Sequence, residues 1–305
     1  MGDSLVYKLR SGKPPKFIYF AYDMLKMAIP SYFYRMQLKR TIAQLSKRPD
    51  RAYIEERVSY YNRLSGNNHP IPQGTHVENN KIAAEEKIPI CQDTGMAVLF
   101  VEYGERVVID GNFKEAVEEG VRRAYIGGYL RKSVVTDPVF DRVNTKDNTP
   151  AIIYTDIVEG DKIKILAGCK GFGSENMSQI KMLTPSAGIE GVKQFILDAV
   201  KYAGPNPCPP IVVGVGIGGT FEKAAQLAKK ATLRPINTKN EDPRYAKFED
   251  ELIEEINKMG FGPAGLGGNT TAIGVNVETY PTHIAGMPVA VNICCHAARH
   301  KEAVI

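Results

Sequence analysis

Ile211-Val212-Val213-Gly214-Val215-Gly216-Ile217-Gly218-Gly219 decides how the rest of this 305-residue chain is read. Residues 211–215 are uncharged and, apart from Gly214, β-branched, the pattern of a strand buried on both faces. Residues 220–231 read as a helix directly after the glycines. A strand running through glycines into a helix is the repeating element of layered α/β folds. The run also formally satisfies Gly-x-Gly-x-x-Gly, but a dinucleotide site needs an acidic residue about 20 residues on. That region here is Pro235-Ile236-Asn237-Thr238-Lys239. The run therefore reads first as a close-packed strand–helix turn whose backbone amides can face an anion. Nucleotide binding through residues 214–219 is the remote alternative.

Outward from this run the alternation continues. Residues 97–103 and 107–109 read as strands around a Gly104-Glu105 turn, and Asn112 caps a helix to about Tyr125. Residues 151–158 and 162–167 read as a hairpin around Gly160-Asp161. Residues 188–202 predict a helix with Ile189, Val192, Phe195, Ile196 and Val200 on one face, and residues 243–259 another, stopped by Gly260. Residues 272–278 and 289–293 are late strands. The fold class predicted is α/β in the mixed α+β sense, helices packed around mixed sheets.

Residues 1–78 have a different texture. They hold 13 Lys/Arg against 6 Asp/Glu and 8 of the 15 tyrosines, whereas the remainder holds 26 against 28. The net charge of +5 is thus a property of one end. Basic residues interleaved with aromatics suit nucleic acid, and equally a solvated helical arm. The domain reading is a basic, Tyr-rich helical arm and linker at 1–78 and a catalytic domain at 79–305. No apolar run approaches the roughly 20 residues that span a bilayer, and no signal-peptide pattern opens the chain. The expectation is a cytoplasmic protein that binds neither membrane nor nucleic acid.

The five cysteines, Cys91, Cys169, Cys208, Cys294 and Cys295, form no Cys-x-x-Cys pair, which removes zinc-ribbon and thioredoxin readings. Cys91 and Cys208 sit in loops before strands, and Cys295 follows a strand end. Thiolates converging from three loops suit a soft metal or an iron–sulfur cluster; small buried thiols are the plainer explanation.

Motifs along the chain then supply a resemblance. Ile88-Pro89-Ile90-Cys91-Gln92-Asp93-Thr94-Gly95, Leu130-Arg131-Lys132-Ser133-Val134-Val135 and Gly171-Phe172-Gly173-Ser174-Glu175-Asn176 are joined by Asn206-Pro207-Cys208-Pro209-Pro210, the glycine run, Thr282-His283 and Cys295-His296. In this order and spacing they resemble the iron–sulfur-dependent (class I) fumarate hydratases and L-tartrate dehydratases. The resemblance covers residues 79–305, and it is to the separate α subunit of two-subunit enzymes.

The resemblance implies that Cys91, Cys208 and Cys295 hold a 4Fe-4S cluster with one iron not ligated by protein, which can act as a Lewis acid. It implies that Gln92 and Arg131 contact a substrate carboxylate, that Gly173 offers a backbone amide, and that Asp93 and His283 are the acid–base pair. The implied reaction is reversible hydration of fumarate to L-malate, with L-tartrate dehydration as the alternative. The implied partners are a small dicarboxylate substrate, a β subunit without which the chain is inactive, and a second α subunit in a homodimer within a heterotetramer. Each residue also has a plain structural reading: Asp93 as a turn cap, His283 as a loop histidine, Arg131 as a surface ion-pair partner.

Overall fold

The strand expected at residues 211–215 is present but runs Ile211–Gly218, because the glycines extend it rather than end it. The structure, a computed structural model, describes residues 6–8 and 89–305. The helical arm expected across residues 1–78 therefore lies outside the described residues, apart from a short strand. In chain order the elements are β1 (Val6–Lys8), β2 (Met96–Gly104), β3 (Val108–Asp110), α1 (Phe113–Gly127), β4 (Ile152–Val158) and β5 (Ile163–Lys170). They continue with α2 (Phe172–Glu175), β6 (Gln179–Leu183), α3 (Gly188–Ala203), β7 (Ile211–Gly218), α4 (Phe221–Ala231), α5 (Pro243–Lys258), β8 (Ala272–Tyr280), β9 (Met287–Cys294) and β10 (His300–Val304). The chain divides into two units, one containing the described residues 89–171 and 299–305, the other residues 172–298.

In the first unit a four-stranded sheet has the order β10-β5-β2-β4, and β1 pairs in parallel with β3. Asn112 caps α1 as expected, its side chain accepting from the Glu115 N–H at 3.1 Å. One face of α1, with Val117, Val121, Ala124 and Tyr125, packs on Leu99, Val101, Ile165 and Ala167 of the sheet. Residues 151–158 and 162–167 are strands but not a hairpin. β2 lies between them, parallel to β4 and antiparallel to β5. The link between β4 and β5 wraps the end of β2, where the Gly104 N–H donates to the Lys162 carbonyl at 2.9 Å. A Cβ on Gly104 would meet that carbonyl oxygen at 2.7 Å, so a side chain there would force the link off the strand. β2, buried from Ala97 to Val101, outcompetes a direct pairing of its two neighbours.

In the second unit the order is β6-β9-β7-β8, with β7 parallel to β8 and antiparallel to β9. Alternation along the strands sorts the faces. Val213, Val215, Val275, Val277, Val289 and Val291 pack against α3 and α5 through Val192, Ile196, Leu252 and Ile256. The opposite face receives α4. There a Cβ on Gly214 or Gly216 would lie 2.1 Å from the Ala228 or Ala224 carbonyl oxygen. The glycines exist so that the helix can lie on the strand, not to make a phosphate loop. The result is the mixed α/β protein that the sequence predicts. No helix among the described residues is long and apolar enough to cross a membrane.

Candidate active site

Cys91-Gln92-Asp93-Thr94-Gly95 leads into β2 and is fastened from every side within the first unit. The Gly95 N–H donates to the Asp93 carboxylate at 2.9 Å, which is the turn-capping geometry that residue type favours. Thr94, buried, donates its hydroxyl to the Arg131 carbonyl at 2.9 Å and so joins this loop to the Arg131 segment. Asn148, also buried, accepts from the Ser133 N–H at 2.7 Å and donates to the Gly95 carbonyl at 3.0 Å. The Tyr125 hydroxyl donates to the Thr94 carbonyl at 2.8 Å from α1, and Arg299 donates to the Asp93 carbonyl at 2.7 Å. The backbone is thus held while the side chains of Gln92 and Arg131 stay exposed and those of Cys91 and Asp93 half-buried. Four of the expected site residues come together here. Burial pushes the Tyr125 hydroxyl well up, and the Cys169 thiol beside it also up, so both stay protonated.

The second unit gathers three more. Cys208 is exposed, precedes β7 and has a left-handed backbone, φ 54°. Cys294 ends β9 opposite Val212, the second residue of β7, so Cys295 follows at the same end of the sheet as Cys208. His296 completes the link, its Nδ1 lying 3.2 Å from the Cys208 carbonyl oxygen. Gly173, in α2, faces the same loop: a Cβ there would be 3.9 Å from the Asn206 carbonyl oxygen. The single turn of α2 is tethered through Glu175, which accepts from Asn292 Nδ2 at 3.0 Å and pairs with Lys229.

His283 is not brought to these cysteines. Gly218 at the end of β7 pairs with Tyr280, and the Thr282 hydroxyl donates to the Gly219 carbonyl at 2.9 Å. His283 is therefore exposed on the far end of the sheet, separated from the cysteine end by the length of β7, about 25 Å at about 3.3 Å per residue. Its Nδ1 accepts from the Ala285 N–H at 3.2 Å.

Among the described residues no three His, Cys, Asp or Glu side chains are gathered around a point that could hold a metal ion. The donor chemistry nevertheless fits a thiolate-bound iron–sulfur group. Cys91, Cys208 and Cys295 are exposed or half-buried in loops, whereas Cys169 and Cys294 are buried within strands. Accessible thiols outside the core are the form that a soft metal requires. The division by burial coincides with the division that the motifs imply.

The family model for fumarate hydratase (fumerase) matches residues 38–304. The chain belongs to the fumarate hydratase (fumerase) family. The match begins ahead of residue 79, inside the segment read from sequence as a separate arm. Members of this fumarate hydratase family are iron–sulfur-dependent hydro-lyases, which accords with the donor set. A Methanocaldococcus jannaschii protein provisionally named L(+)-tartrate dehydratase subunit alpha is 46% identical over 228 residues, covering 73% of this chain and 80% of its own. The L(+)-tartrate dehydratase subunit alpha of Escherichia coli O157:H7 is 37% identical over 229 residues, 74% of this chain and 75% of its own. That of Escherichia coli K12 is 36% identical over the same shares.

Sequence reading missed the residues that hold the fumarate hydratase motifs rigid. Asn148, Tyr125 and Glu175 lie in or beside segments it had assigned, but their partners are 14 to 117 residues away. Glu175 stood inside a quoted motif and Arg299 four residues after Cys295, but neither position by itself names its partners.

Proposed function

We propose that this chain is the α subunit of a 4Fe-4S hydro-lyase that hydrates fumarate reversibly to L-malate together with a separate β subunit. The observation that carries the reading is the sorting of the five thiols: the three that the family pattern marks as ligands, Cys91, Cys208 and Cys295, are those that solvent reaches. When bound, the cluster supplies a Lewis acid at the iron that lacks a protein ligand.

The chain's own residues supply the rest. Arg131 and Gln92, exposed beside the Cys91 loop, grip a substrate carboxylate by a guanidinium fork and an amide. The Gly173 N–H donates to an oxygen on which negative charge grows as the proton next to the carboxylate leaves. Asp93, one carboxylate oxygen of which is already engaged by the Gly95 N–H, holds or releases a proton at the hydroxyl. His283 is the second proton carrier. Its place at the far end of the β7 sheet favours a role at the site of a second α subunit, in keeping with a homodimer within the heterotetramer.

A second reading, dehydration of L(+)-tartrate, is favoured by the names of the relatives. Both readings are tested by anaerobic co-expression with the β subunit, iron analysis, and turnover of fumarate, L-malate and L(+)-tartrate. Stoichiometric iron with fumarate turnover is expected. Iron-free wild-type protein, or iron undiminished in Cys208→Ser, refutes the cluster reading, and turnover of tartrate alone selects the second substrate.

A further inference from the structure

Arg299 is charged, buried and unbalanced. It is 3% exposed, and only Nη2 is engaged, on the Asp93 carbonyl. Its Nε and Nη1 are shut away from water and have no hydrogen-bond partner. A guanidinium does not lose its proton in a protein, so burial cannot neutralise it. A buried charge with unused donors is costly unless an anion meets it.

No carboxylate among the described residues forms an ion pair with Arg299. The Cys169 thiol and the Tyr125 hydroxyl, both close enough to feel its charge, are kept neutral by burial. Asp93 turns one carboxylate oxygen to the Gly95 N–H. Gly171 has no side chain to fill the space beside the two groups: a Cβ there would lie 3.2 Å from Asp93 Oδ2 and 4.0 Å from Arg299 Nη2. The loop that Arg299 grips begins at Cys91, two residues before Asp93.

We propose that Arg299 is a binding partner of the iron–sulfur cluster anchored through Cys91, its Nε–H and Nη1–H donors meeting the cluster's sulfur atoms. A cluster held by three thiolates is a net anion, and hydrogen bonds to its sulfurs together with a nearby positive charge stabilise the more reduced state. The inference rests on the cluster reading above and adds a residue to it.

The test compares wild type, Arg299→Gln and Arg299→Lys as anaerobically reconstituted α–β complexes. Iron and sulfide are counted per chain, and the cluster's midpoint potential is read by a titration followed by electron paramagnetic resonance. Arg299→Gln is expected to move the potential to more negative values. Arg299→Lys, which keeps the charge without the planar fork, is expected to move it less and serves where the glutamine variant does not fold. Iron in the wild type with an unchanged potential in the folded variants overturns this inference alone. Wild type without iron overturns the cluster reading and this inference with it. A raised KM for the diacid at constant potential assigns the donors to a substrate carboxylate and also overturns it.

Discussion

Cys208 is placed where its backbone is uncomfortable. A φ of 54° is the left-handed region that favours glycine, and a residue with a Cβ is disfavoured there by about 1 kcal/mol. If the thiol is retained as a ligand, removing it separates stability from function. Cys208→Gly is expected to lose iron as fully as Cys208→Ser yet to unfold about 1 kcal/mol later in denaturant, because only the glycine relieves the backbone. Equal stability of the two variants would show that the turn carries no strain. His300 gives a second expectation at this scale. Burial, and to a lesser extent Lys301, holds its imidazole below the usual range, and its Nδ1 is buried without a partner. Below pH about 6.5 the unfolded chain takes up a proton that the folded chain refuses, so the contribution to stability is lost as pH falls. The melting temperature is expected to drop between pH 7.5 and 5.5 by more in wild type than in His300→Gln. Among single residues, the sequence made the loop cysteines legible, since local composition shows that Cys91 and Cys208 precede strands and Cys295 follows one. It could not expose Arg299, whose meaning is an absence of partners that only the fold creates.

The one-turn helix α2 is too short to hold itself, since a nucleus of helix costs more than one hydrogen bond returns. Its position depends on Glu175, which reaches Asn292 on β9 and Lys229 on α4. Glu175→Ala is expected to raise KM for the diacid about tenfold, with a smaller effect on kcat, by freeing the Gly173 amide. Loss of a charged hydrogen bond is worth about 1.5–3 kcal/mol, enough to allow that change. An unchanged KM in steady-state assays of the α–β complex would show that Gly173 is set by its backbone alone. Elements were legible where composition is local: β7, β8, β9 and the four long helices lie within a few residues of expectation. Pairing was not, as the supposed hairpin of β4 and β5 shows. Which strand lies beside which is settled by β2, fifty residues earlier and more apolar. β6 and β10 were missed because Gln179–Leu183 and His300–Val304 are short edge strands carrying charge, the composition that edges use to resist further pairing.

At the scale of the whole molecule the sheet of the second unit sets the constraint. Cys208 and Cys295 lie at one end of β7 and His283 at the other, pinned there by the pairing of Gly218 with Tyr280 and by the Thr282 hydroxyl on Gly219. No side-chain rotation carries an imidazole along a strand about 25 Å long. If His283 serves the same chemistry as the cysteines, two copies must share their sites, each giving cysteines to one and a histidine to the other. Symmetry makes this measurable. Cys208→Ser and His283→Ala chains, each inactive alone, are expected to recover activity when co-expressed with the β subunit. A mixed dimer pairs the intact cysteines of one chain with the intact histidine of its partner at one of its two sites. With half of the dimers mixed, about a quarter of wild-type activity returns. Iron should follow a different rule, at about half of the wild-type content, because it depends on the cysteines and not on His283. Half the iron with no recovered turnover would mean that His283 acts within its own chain, and the shared-site dimer would be refuted while the cluster stood.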